Sequence, residues 1–195
     1  MSMTFDVTEP ADQQSGWSYY GAAHRYAVHG SDAEEAACAR RTAELAATGR
    51  EAELHALADA GDRCAAIATL EVLVDQDRVD ELRAMGAAGH DPAFVTLMEL
   101  YVRRGDEAAL RAEAATAERA RFWLSALLVR SGRLDEALDE LRRLVAAGVD
   151  THAAHGKMLD LLLEHGREDE VRALAAAGDR PAIRRLNFWQ HRDRP

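Results

Sequence analysis

Cysteine, proline, lysine and long apolar runs are all scarce in this chain. Its 195 residues hold two cysteines, four prolines and a single lysine, Lys157. Cys38 and Cys64 form no close-spaced metal or redox motif. Each falls in an alanine-rich helical pattern, so each is read as a small buried hydrophobe in a reducing compartment. No apolar run approaches the roughly 18 residues that a bilayer-spanning helix requires. The first residues lack a basic region followed by an apolar core, so no signal peptide is read and a cytoplasmic location is expected. β-branched residues are sparse and nothing alternates like a strand. The nucleotide-binding patterns Gly-x-Gly-x-x-Gly and Gly-x-x-x-x-Gly-Lys do not occur, nor do Gly-x-Ser-x-Gly and His-Glu-x-x-His. Their absence counts against nucleotide, hydrolase and zinc-protease chemistry.

Positive charge is also in deficit. The formal net charge is -10, which opposes general nucleic-acid binding, where cations must displace phosphate counterions. Alanine, leucine, arginine and acidic residues dominate instead. At this density of strong helix formers the expected class is all-α.

A recurring phrase organises the chain. Asp80-Glu81-Leu82-Arg83-Ala84-Met85-Gly86-Ala87-Ala88-Gly89 reappears as Asp139-Glu140-Leu141-Arg142-Arg143-Leu144-Val145-Ala146-Ala147-Gly148. It appears again as Asp169-Glu170-Val171-Arg172-Ala173-Leu174-Ala175-Ala176-Ala177-Gly178. Units opened by Gly49, Asp77, Gly105, Gly132 and Gly166 are spaced 28, 28, 27 and 34 residues apart. Each reads as a short helix, a glycine break, a longer helix and a polar turn. The breaks are Gly61, Gly89, Gly148 and Gly178; the third unit has Thr116-Ala117 there.

In the second helices the pairs Val72-Leu73, Leu100-Tyr101, Leu127-Leu128 and Leu161-Leu162 align. Three residues before them stand Thr69, Leu97, Leu124 and Met158. Spacing of i, i+3, i+4 puts these on one apolar face. Asp62, Asp91, Asp150 and Asp179 are placed to cap those helices, with Pro92 and Pro181 just inside them. The fourth unit spans 16 residues from Gly132 to Gly148, against 12 in the comparable segments. One extra turn in its first helix should kink or widen the stack, and it is read as length drift in preference to a binding feature.

This arrangement resembles the α-solenoids of helical hairpins, in the tetratricopeptide and Sel1-like class. The resemblance covers Gly49 to about Arg192, with units mostly of 27–28 residues and a fourth of tetratricopeptide length. It implies a right-handed solenoid of about five helix-turn-helix repeats over residues 49–192. An N-terminal helical cap at 15–48 and an unstructured tail at 1–14 would precede it. By analogy it also implies a non-catalytic scaffold for a protein or peptide partner. No cofactor or metal is expected, and oligomeric state stays open.

Candidate partner-binding residues follow. Arg83, Arg111, Arg142 and Arg172 recur at equivalent places, as a ligand-reading or a solvated face would. Trp17, Tyr20 and His24 share a helical face at i, i+3, i+7, suiting either a cap or a docking surface. The alternative function, a small-molecule pocket or an enzyme, would use this aromatic and histidine-bearing segment. Near the C-terminus, Arg184 and Trp189 belong to a basic, aromatic helix that could grip acidic partners or cap the core. His152 and His155 stand three apart, with His165 beyond and Asp150 or Asp160 as possible third ligands; they are read as a solvated face.

Overall fold

The computed structural model describes residues 30–191. Among these residues it is all-helical, with eleven α-helices, one 3-10 turn and no strand. The chain divides at Arg104/Gly105 into two compact units, a boundary that coincides with one of the sequence-unit openings.

The first unit carries α1 (Asp32–Ala47), α2 (Glu51–Asp59), α3 (Arg63–Asp75), α4 (Val79–Ala87) and α5 (Asp91–Arg104). Ser31 starts α1 by accepting the Glu34 N–H at 3.3 Å, and Glu34 in turn accepts the Gly30 N–H at 2.9 Å. The Ser-x-x-Glu spacing predicts the first of these bonds; the second goes to Gly30 rather than to the N–H of Ser31 itself. α2 packs on α3 and α4 on α5, while α3 also meets α1, α4 and α5. Leu45, Leu54, Ala65, Ala68 and Val72 form one buried cluster. Small residues let the helices approach. A Cβ on Gly86 of α4 would lie 3.2 Å from the Phe94 Cα of α5, tighter than ordinary contact.

The second unit carries α6 (Glu107–Thr116), a 3-10 turn (Glu118–Ala120), α7 (Arg121–Arg130), α8 (Leu134–Ala146), α9 (Thr151–Glu164), α10 (Glu168–Ala176) and α11 (Arg180–His191). Here α8 packs against both α7 and α9, and α11 against α10 and α9. The core gathers Leu138, Leu141 and Leu144 with Met158, Leu159, Leu161, Leu162, Val171 and Ala182.

All four aligned apolar pairs and the four residues three positions earlier are buried, so the helical-face reading holds. The residues that open the sequence units, Gly49, Asp77, Gly105, Gly132 and Gly166, all have positive φ, from 57° to 73°. Asp77 is the one that is not glycine, and Asp tolerates this left-handed region better than most residues do. The third unit, which lacks the break glycine, turns differently: Ala117 is extended and the 3-10 turn leads into α7.

Two of the four expected caps need correction. Asp62 accepts the N–H groups of Cys64 and Ala65, and Asp179 accepts that of Ala182. At α5, however, His90 Nδ1 accepts the Ala93 N–H at 3.1 Å, leaving Asp91 inside the helix. Asp150 sits at φ 42° and its side chain makes no cap hydrogen bond. The cysteines also need correction: they are paired with each other rather than separately buried.

An arginine at the helix start ties successive sequence units together. Arg78 donates to Glu81 of its own turn at 2.6 Å and to Glu51 of the preceding unit at 2.5 Å. Arg133 does the same with Glu136 at 2.6 Å and Glu107 at 2.7 Å. Arg167 pairs with Glu170 and Asp135. These guanidinium contacts hold Glu51, Glu81 and Glu136 below the ordinary carboxylate value of 4.5; Glu107 is lowered first by Arg111 and then by Arg133.

A folded-state pKa below the unfolded one means stability that is present above about 4.5 and lost as pH falls through the lowered values. The melting temperature of the chain is therefore expected to drop as pH falls below about 4.5, and to drop less in Arg133→Met. Scanning calorimetry over that range checks it; an equal drop in both proteins contradicts the rung at Arg133.

Candidate functional site

A groove of about 610 Å³ lies between α8, α9 and α10. α9 supplies the floor with Met158 and Leu162, both buried, and packs against both flanking helices. One wall is Arg142, Val145 and Ala146 of α8; the other is Glu170, Ala173 and Leu174 of α10.

The extra turn of the fourth sequence unit makes the first wall. α8 has 13 residues, against 9 in α2, α4 and α10 and 10 in α6. A helix of nine residues starting at Leu134 would stop at Arg142, and neither Val145 nor Ala146 would be helical.

Polar groups sit at the groove's ends. Arg142 donates to Asp139 at 2.8 Å, and Glu170 accepts from Arg167. His155 reaches in from α9. Its Nε2 is buried and 2.9 Å from Asp179 Oδ2, but off the direction a hydrogen bond requires. The contact is electrostatic when the ring is protonated. The other Asp179 oxygen caps α11 at 2.9 Å, so one carboxylate starts a helix and lies beside the imidazole.

The four recurring arginines each pair with a carboxylate one turn earlier, an aspartate at i-3 for three of them and a glutamate at i-4 for Arg111. Arg83 pairs with Asp80 at 2.6 Å, Arg111 with Glu107 at 2.8 Å, Arg142 with Asp139 at 2.8 Å and Arg172 with Asp169 at 2.7 Å. Arg83 also donates to the Tyr101 hydroxyl at 2.6 Å. Exposed pairs of this kind contribute about 0–1 kcal/mol, so exchanging one for a partner's carboxylate costs little. Of the four, only Arg142 borders the groove.

On α11, Arg184 is exposed, while Trp189 is half-buried and packs on the core. The exposed aromatic of this helix is Phe188, at 69%. Arg185 reaches Asp160 at 2.5 Å. Burial of Asp160 raises its carboxyl, with Arg185 opposing that rise. Trp17, Tyr20 and His24 lie outside the described residues, as does the tail expected at 1–14.

The histidine metal reading has no geometric support. His155 faces Asp179, Asp160 faces Arg185, and His152 is exposed. Among the described residues, one group has donor atoms close enough to hold an ion, Cys38, Asp62 and Cys64. Sequence reasoning passed over it because its members come from two helices. No described helix is long and apolar enough to cross a membrane.

No family model, curated protein or solved structure matches this chain.

Proposed function

We propose that the protein is a non-catalytic helical-repeat scaffold, a right-handed α-solenoid of about five hairpins in the tetratricopeptide-like class, that binds a protein or peptide partner. Within the first unit, consecutive helices pack as hairpins and the second helices contact one another, which supports a stacked arrangement. The single observation that carries the binding reading is the groove, built by a helical turn that the other first helices lack.

Its chemistry defines what it takes. Met158, Leu162, Val145 and Leu174 offer an apolar bed for one or two large side chains. Methionine suits such a bed because its thioether adapts to different shapes. Arg142 at the rim is already tied weakly to Asp139 and can turn to a carboxylate on the partner. The expected ligand is a segment with a leucine, phenylalanine or methionine anchor and an acidic residue beside it. Apolar anchors in such grooves carry most of the binding energy.

Selection from a displayed library of random peptides tests this. Against the full chain, enriched peptides are expected to share an apolar anchor with a neighbouring Asp or Glu. Enrichment no greater than on the heat-unfolded chain, or a consensus without an apolar residue, contradicts the reading.

A further inference from the structure

We infer that Cys38 and Cys64 are a reversible thiol–disulfide latch that fastens α1 onto the start of α3. The inference does not rest on the groove. These are the two cysteines of the whole chain, and the fold brings them together across 26 residues. Their Cα atoms are 6.7 Å apart, within the span of roughly 4.4–6.8 Å that disulfide-linked residues cover. Cys64 is 4% exposed and Cys38 is the less deeply buried of the two.

The latch acts on the more exposed, N-terminal part of α1. Of its residues with a described environment, only Thr42 and Leu45 are buried, both in its C-terminal half. Between Asp32 and Arg41, the described residues other than Cys38 are exposed. Beside the cysteine pair, Arg41 of α1 pairs with Asp62 at the start of α3, an exposed contact of a kind that contributes about 0–1 kcal/mol. Segments with few buried contacts open locally ahead of the whole fold. Opening the sulfur–sulfur bond therefore frees the first turns of α1 and uncovers Cys64 and the start of α3.

The chemistry balances with a small-molecule disulfide such as oxidised glutathione as oxidant. The two thiols lose two protons and two electrons as their sulfurs join, and the oxidant's S–S bond is reduced to two thiols. The other use of the cluster is as a cation site, because the donor atoms of Cys38, Asp62 and Cys64 lie within 4.8 Å of one another. Asp62 speaks against it. One of its oxygens accepts two N–H groups of α3, at 3.0 and 3.1 Å, and the other holds Arg41.

The full chain, equilibrated across ratios of reduced to oxidised glutathione and then trapped with N-ethylmaleimide, tests the latch by mass spectrometry and hydrogen exchange. Oxidised protein is expected to take no adduct and reduced protein two. Amides of residues 32–41 are expected to exchange about tenfold or more faster after reduction, with residues 79–87 unchanged. Cys38→Ser, a substitution at the half-exposed member, should show the fast exchange at every ratio. Cys64→Ala should do the same while retaining the helical circular dichroism.

Two adducts at every ratio overturn the proposal, as does equal exchange in both redox states. A disulfide that forms only between two chains overturns it as well. So does purified protein that carries zinc and loses it in Cys38→Ser, which would make the cluster a metal site.

Discussion

Leu141→Ala is expected to destabilise the second unit by about 2–5 kcal/mol, the range for truncating a fully buried leucine where the surroundings cannot collapse. Leu141 has no solvent exposure and stands in the apolar stripe of α8 with Leu138 and Leu144. The site cannot close easily because α8 is packed by α7 on one side and α9 on the other. Moving either neighbour inward would pull it off its own partners. Urea denaturation, followed by helical circular dichroism and by hydrogen exchange over residues 105–191, measures the loss. The control is Arg142→Ala, which breaks an exposed ion pair and is expected to cost under about 1 kcal/mol. A Leu141→Ala midpoint matching that control would mean α8 is not a central helix of its unit.

Ala173→Trp is expected to weaken binding of a selected peptide by about a hundredfold or more, the scale on which losing a dominant anchor contact registers. Ala173 is an exposed residue on the α10 wall, directly across from the α8 wall. An indole there projects from an open surface, so folding is not compromised. It occupies volume that a ligand's anchor needs. Glu164→Trp adds the same side chain at an exposed position that does not line the groove, and binding through it should stay within about twofold of the parent. Fluorescence anisotropy of a labelled peptide, with circular dichroism of each variant, reads both. Equal affinity in the two tryptophan variants places the peptide somewhere else.

What could be read in advance divides along physical lines. The buried faces were legible because periodicity reports burial directly: Leu97, Leu124 and Met158 recur three residues before apolar pairs, and all are buried. Unit boundaries were legible because the backbone there needs positive φ, which glycine supplies, and even Asp77 conforms. Caps were half legible. Asp62 and Asp179 fit, but a histidine can accept the same N–H, and at α5 His90 displaces Asp91 from that role.

The groove was hidden for a different reason. An inserted turn is visible in spacing, but where its residues lie depends on the crossing of α8, α9 and α10, which no local pattern encodes. The cysteine pair was hidden likewise. Its 26-residue separation resembles no motif, and only the packing of α1 on α3 makes the two thiols neighbours. The recurring arginines gave true positions with an incomplete meaning: their spacing puts each beside its own helix's carboxylate, and only Arg142 also borders the groove.

We propose that a partner's apolar side chain sits in the cleft walled by the added turn of α8. The most direct measurement is a methyl-resolved NMR titration of the full chain, labelled at methionine and leucine methyls, with a library-selected peptide. Expected are saturable shifts centred on Met158, Leu162 and Leu174, with the methyls of Leu54 and Leu82 unmoved. Saturable shifts confined to methyls of residues 30–104, with Met158 still, would contradict it.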